Sequence, residues 1–197
     1  MSVVLYSCEP SVPCRVVRMV AQHIGIALTI KEVDIAAGDT QLKDFLKLNP
    51  AHTVPTMVDG NIILYESRAI VTYLIEKYAA GSSMYPRDIE KRAMIDNLLM
   101  FDIGTLYRPC LPTSPNDRRS GSDRAASVRQ PLRLTGAEIS LADIAVAGTL
   151  SFVDAAAYSL DAHPKVRDYY IALKQELPYF TEINDKGIAM FRKYAQK

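Results

Sequence analysis

The sequence predicts an α/β domain over residues 1–79, a linker at 80–87 and an all-α domain over 88–197. Three observations carry this division. Short apolar runs alternate with amphipathic helical patterns in the first part; the small, polar run Ala79-Ala80-Gly81-Ser82-Ser83 suits a linker; and no strand alternation returns after it. With 197 residues and 49% hydrophobic composition, the chain is long enough for one large domain or two small ones, with a real core.

Val3-Val4-Leu5-Tyr6 is a continuously apolar run closed by the turn residues Ser7-Cys8-Glu9-Pro10, which suits a strand buried on both faces. From Pro13 the period changes to helical. Val16, Val17, Val20 and Ile24 share one face and Arg15, Arg18 and Gln22 the other, while Pro13 is tolerated in the first turn because its missing N–H would be unpaired there anyway. Gly25 ends this helix. Residues 28–33 alternate as a second strand, and 41–48 form a short helix with Leu42, Phe45 and Leu46 inward, stopped by Asn49-Pro50.

Residues 56–58, the Asp59-Gly60 turn and residues 62–64 read as a tight hairpin, since Asp-Gly supplies the positive φ angles of a two-residue connection. The helix after Ser67 buries Ile70, Val71, Leu74, Ile75 and Tyr78. The order β-α-β-α-β-β-α, with one parallel crossover and one hairpin, is that of a thioredoxin-like domain.

In the second part, helical patterns run over 88–106, 140–157, 164–177 and 179–194. The helix at 140 has the clearest start signal. Ser140 and Asp143 stand at capping-box spacing, and Ile139 and Ile144 sit where a hydrophobic staple joins. Residues 109–136 hold four prolines and five arginines with no sustained helical period. Pro109, Pro112 and Pro115 forbid a regular helix, so the segment reads as a flexible loop.

Charge excludes some functions. The 23 basic and 22 acidic residues nearly cancel, which disfavours nucleic acid and anionic membranes as partners. Cys8, Cys14 and Cys110 are an odd set with neither a disulfide framework nor a zinc-ligand spacing, so they read as reduced thiols and no metal site is expected. The N-terminal residues lack a signal-peptide pattern and no run reaches membrane-spanning length, so a cytoplasmic protein is expected.

Three clusters stand out in the first part: Ser11-Val12-Pro13-Cys14-Arg15, Asn49-Pro50-Ala51-His52-Thr53-Val54-Pro55-Thr56, and Tyr65-Glu66-Ser67-Arg68-Ala69-Ile70. The first sets a hydroxyl at a helix start, where partial positive charge favours an anion such as a thiolate. With residues 139–145, these stretches resemble the cytosolic glutathione transferases, specifically the insect-type delta and epsilon classes. The resemblance covers residues 3–107 well and 139 to the end moderately, and implies the glutathione transferase fold.

By that resemblance, Ser11 is the catalytic hydroxyl that donates to the sulfur of glutathione, and the thiolate attacks a small hydrophobic electrophile in a detoxification reaction. Val54 pairs its backbone with the cysteinyl residue, Pro55 is the cis proline that turns this backbone outward, and His52 approaches the glycine carboxylate. Glu66 meets the γ-glutamyl ammonium, and Ser67, with Arg68 as a further candidate, meets its carboxylate. Taken singly, Ser11 and Ser67 read as helix caps, His52 as a surface histidine and Arg68 as a solvated charge. Glutathione is then a co-substrate and no cofactor is needed.

The family also implies a hydrophobic co-substrate site in the second domain, for which Tyr107 remains a lining candidate. Beyond it, Arg108-Pro109-Cys110-Leu111-Pro112 replaces the expected aromatic residues and segment 109–136 departs from the pattern, so the electrophile is unreadable. Two other readings follow: a glutathione- or ligand-binding protein with little turnover, and a thiol transferase or isomerase that depends on Cys8. Cys14 reads as a packed core thiol. A homodimer is expected through the outer face of helix 88–106, where Leu98, Leu99, Met100 and Phe101 pack on Arg68 and its helix in a second copy; full burial within one subunit is the alternative.

Overall fold

Alternation governs the first strand, β1 (Val3–Ser7): Val3, Leu5 and Ser7 are buried, and Val4 and Tyr6 half-buried. The expectation of burial on both faces is therefore corrected, because the Tyr6 face is covered only in part, by an edge-on contact with Phe45 at 5.7 Å between ring centres. The computed structural model describes residues 2–107, 135–156 and 158–195. The chain divides into two compact units, Met1–Ala80 and Gly81–Lys197.

In the first unit, α1 (Val12–His23) buries Cys14, Val16, Val17, Met19 and Val20, and Gly25 takes φ 74° just beyond its end. The next elements are β2 (Leu28–Glu32), a single 3-10 turn (Asp39–Gln41) and α2 (Lys43–Leu48). Only Phe45 is buried in α2; Leu42, expected inward, precedes the helix and is 60% exposed.

The hairpin comprises β3 (Thr56–Asp59) and β4 (Ile62–Leu64). Its register pairs Asp59 with Ile62, so the connection is Gly60-Asn61 rather than Asp59-Gly60, and Gly60 alone of the two carries a positive φ, 59°. The first unit ends in α3 (Ser67–Tyr78), packed on α1 through Ile70, Val71, Leu74 and Ile75. Tyr78, expected in that core, is 40% exposed because its hydroxyl reaches Asp59 Oδ2 at 2.7 Å.

The sheet order is β2-β1-β3-β4, with β1 and β2 parallel and the other neighbours antiparallel, a thioredoxin-like arrangement.

The second unit contains α4 (Ile89–Phe101), running on into a π-helical turn (Asp102–Tyr107), then α5 (Leu141–Ala155), α6 (Pro164–Glu176) and α7 (Phe180–Ala195). Helix α5 is buried almost all round, and α4, α6 and α7 pack against it. Its capping box is formed: Ser140 Oγ accepts from the Asp143 amide at 3.4 Å, and Asp143 Oδ2 accepts from the Ser140 amide at 2.8 Å.

On α4, Leu99 is 1% exposed and belongs to this core, whereas Met94 and Met100 are 50% and 59% exposed. Leu98 and Phe101 are half-buried. The loop expected at 109–136 lies, except for residues 135–136, outside the described residues, as does Cys110.

Candidate active site

Strand register assembles the candidate site. Thr56 at the start of β3 pairs with Tyr6 near the end of β1, so residues 52–55 enter the sheet beside the place where β1 leaves for Ser11. Leu64 at the end of β4 pairs with Met57, so Glu66, Ser67 and Arg68 leave from that same sheet end. Residues that are 55 positions apart in the chain are thus brought to one end of one sheet.

At that end Ser11 is the N-cap of α1. Its Oγ accepts from the Cys14 amide at 3.4 Å, and its own amide bonds the Cys8 carbonyl at 3.0 Å. A hydroxyl has one proton to donate and two lone pairs, and the cap bond uses a lone pair. No acidic residue stands in the first turn of α1 or α3, so the positive ends of both helices are not neutralised from within.

The loop before β3 is held by an asparagine that the sequence marks only as a helix stop. Asn49 is fully buried, and its Nδ2 donates to the Thr53 carbonyl at 2.9 Å, Thr53 Oγ1 at 3.2 Å and Thr56 Oγ1 at 2.9 Å, while its Oδ1 accepts from the Ala51 amide at 2.9 Å. This bonding defines the path of residues 50–55. Within it, the Val54–Pro55 peptide is cis and His52 takes φ 45°. The His52 ring is exposed, with Nδ1 3.2 Å from Gln41 Nε2.

Glu66 is the N-cap residue of α3 but makes no side-chain cap bond, and it is exposed. Ser67 therefore stands inside the helix rather than at its cap. Arg68 is 6% exposed, not a solvated charge, and its Nη1 lies 3.4 Å from Ser67 Oγ. Tyr107 belongs to the second unit, where its ring meets Phe152 edge-on at 6.2 Å and Phe152 in turn meets Phe191 at 4.3 Å. No group of three or more metal-ligating side chains occurs among the described residues.

Two family models match: the glutathione S-transferase N-terminal domain over residues 5–83 and the glutathione S-transferase C-terminal domain over 117–172. A glutathione S-transferase D7 of Anopheles gambiae is 34% identical over 204 aligned positions, covering 95% of this chain and 94% of that protein. The chain belongs to the glutathione S-transferase family. A solved Bombyx mori glutathione transferase superposes with a TM-score of 0.92 at 31% identity, covering 98% of each chain. A delta-class glutathione transferase of Nilaparvata lugens gives 0.91 at 31% identity, again over 98% of each chain.

The delta- and epsilon-type resemblance is therefore upheld. The C-terminal glutathione S-transferase match begins at residue 117, so family similarity extends into the segment that the sequence reading set apart. Like other glutathione S-transferases, the protein takes glutathione as its co-substrate and needs no metal.

The two thiols among the described residues, Cys8 and Cys14, are held in the neutral form by burial. Burial, reinforced by the neighbouring Cys14 thiol, pushes Cys8 up to about 11 despite a hydrogen bond from the backbone of Ile35. Burial raises Cys14 as well, and the Ser11 hydroxyl, the Cys8 amide and the Ser7 hydroxyl pull against it.

Proposed function

We propose that this protein is a serine-type transferase in which Ser11 stabilises the thiolate of glutathione for attack on small hydrophobic electrophiles. The observation that carries this reading is the convergence of Ser11, Val54 and Glu66 at one sheet end, fixed by the pairings Tyr6–Thr56 and Met57–Leu64. The Cys14 amide engages the Ser11 oxygen as an acceptor, and the hydroxyl proton, which faces the Cys14 thiol, turns to the sulfur of glutathione when it binds. Lowering a thiol pKa by about 2 units requires about 2.7 kcal/mol of preference for the anion. One charge-assisted hydrogen bond and the start of a helix with no acidic residue in its first turn supply that order of energy.

The same reading assigns the remaining groups. The Val54 backbone pairs with the cysteinyl residue as a short added strand beside Pro55, and exposed His52 meets the glycine carboxylate. The Glu66 carboxylate receives the γ-glutamyl ammonium. Ser67 and Arg68, at the positive end of α3, receive its carboxylate. Tyr107, backed by Phe152, lines the co-substrate site. The exposed methionines Met94 and Met100 on α4 support a homodimer, and a cytoplasmic location follows from the family habit.

The deciding experiment is the initial rate of glutathione conjugation to chlorodinitrobenzene for the wild type beside Ser11→Ala. A rate that collapses in the variant while glutathione affinity holds supports the serine role. Equal losses in binding and turnover count against it. A folded protein that binds glutathione without turnover supports the binding-protein reading instead.

A further inference from the structure

A buried carboxylate stands two residues before Ser11 in the β1–α1 turn, and the glutathione reading makes no use of it. Glu9 sits in the turn closed by the Ser11 amide on the Cys8 carbonyl, and its side chain is 8% exposed. Its Oε2 lies 3.1 Å from Nη1 of Arg18, which projects from α1 about two turns beyond Ser11. The Arg18 side chain is itself only 20% exposed.

Such a carboxylate is costly to hold out of water without a cation, and it repels any anion that forms at Ser11. Arg18 does the reverse on both counts. The other charged or titratable groups around the turn are the Cys8 and Cys14 thiols, buried Arg15 on α1, Lys31 on β2 with its Nζ 3.2 Å from the Tyr6 hydroxyl, and Glu32 and Asp34 at the end of β2. The charge of Arg18 already reaches this place: it is among the groups that pull the Cys14 thiol down against burial, and the Cys14 amide is the one bonded to Ser11 Oγ.

We propose that Glu9 and Arg18 are positioning residues for the transferase reaction, their ion pair clasping the β1–α1 turn to α1 and its charge balance setting how readily the glutathione thiol ionises at Ser11. The proposal rests on the serine-type reading. Its signature is a pair of opposite signs. Glu9→Gln removes a negative charge and leaves Arg18, so the bound thiol ionises more readily. Arg18→Met leaves the carboxylate without its guanidinium, so the thiol ionises less readily. The double variant returns towards the wild type, and Arg18→Lys keeps the wild-type value. A clasp that only held the fold together gives losses of one sign in every variant.

The test is a spectrophotometric pH titration of the glutathione thiolate bound to the full chain, with glutathione affinity from calorimetry and melting curves as a control on folding. Shifts of about tenfold in the ionisation constant of the bound thiol, opposite in direction for Glu9→Gln and Arg18→Met, with affinity measured below that pKa within about twofold, support the proposal. Shifts in the same direction, or none, overturn it. If Arg18→Met does not fold, Glu9→Gln decides alone: a lowered thiol pKa supports the proposal and a raised or unchanged one overturns it. Ser11→Ala in the same titration reads the serine separately, since an unchanged thiol pKa there removes Ser11 while the two opposite shifts still judge the pair. A wild-type protein whose bound glutathione titrates like free glutathione overturns both.

Discussion

Asn49 and Thr53 are joined twice, the buried amide Nδ2 donating to the Thr53 carbonyl at 2.9 Å and to its hydroxyl at 3.2 Å. Through that bond and its contacts with Thr56 and Ala51, one side chain replaces the backbone pairing that an irregular loop lacks. Asn49→Ala removes four hydrogen bonds at once and leaves the Thr53 carbonyl and the Thr56 hydroxyl with only the bond between them. A loss of about 2–3 kcal/mol in unfolding free energy is expected, together with a raised KM for glutathione. Denaturant unfolding and steady-state kinetics check the two halves; an unchanged KM removes Asn49 from any part in shaping the Val54 loop.

How far the sequence reached can be argued from the same loop. The helical periods of α1 and α3 placed Ser11 and Ser67 at helix starts, because periodicity reports which face is buried, whereas β1 read as an unbroken apolar run and its alternation was missed. Asn49 read only as the residue before a proline, since a single polar side chain has no period and its bonds are visible only when the loop is closed. Glu9 and Arg18 escaped for a related reason. Nine residues separate them, and nothing in a one-dimensional pattern shows that the turn folds back on the helix. The hairpin shifted by one residue because Asp59 prefers the end of β3, where its carboxylate has partners from α3, over a turn position in which it has none.

Cys8 offers the sharpest contrast with Ser11. A thiol held up to about 11 has roughly one thiolate in ten thousand molecules at pH 7. Cys8→Ser is therefore expected to keep conjugation within about twofold of the wild type, whereas Ser11→Ala loses most of it. Rates for the two variants measured side by side check this, and the reverse pattern establishes the thiol-dependent reading.

In the second unit, Asp143 serves the start of α5 and the packing of α6 together. Its Oδ2 accepts from the Ser140 amide and from Ser140 Oγ at 2.6 Å, and its Oδ1 accepts from the Tyr169 hydroxyl at 2.7 Å. Ser140→Ala removes both bonds of the Ser140 hydroxyl, the one from the Asp143 amide and the one to Asp143 Oδ2, but keeps the bond from its own amide, and is expected to cost about 1 kcal/mol. Asp143→Ala strands the buried partners on both sides, so about 3 kcal/mol is expected. Calorimetric melting of the two variants orders them, and equal costs would show that the Tyr169 bond adds nothing.

Asp59 gives the first unit a stability that depends on pH. Its Oδ2 accepts from Lys77 at 2.7 Å, Tyr78 at 2.7 Å and Tyr73 at 3.0 Å, joining the end of β3 to the last turns of α3. Burial pushes the carboxyl up, but the bonds from Lys77, Tyr78 and Tyr73 outweigh it and hold the group below its ordinary value of 3.8. A carboxyl whose pKa is depressed by folding stabilises the fold above the ordinary pKa and loses that contribution as pH falls through the depressed one. Asp59→Asn weakens all three bonds, and a deficit of about 1–2 kcal/mol is expected near neutral pH. The deficit should shrink as pH falls below the ordinary carboxylate range, because the wild-type carboxyl is then protonated too. Urea unfolding of both proteins from neutral to acid pH measures the difference, and a deficit that stays constant would show that the carboxylate charge is not what holds β3 to α3.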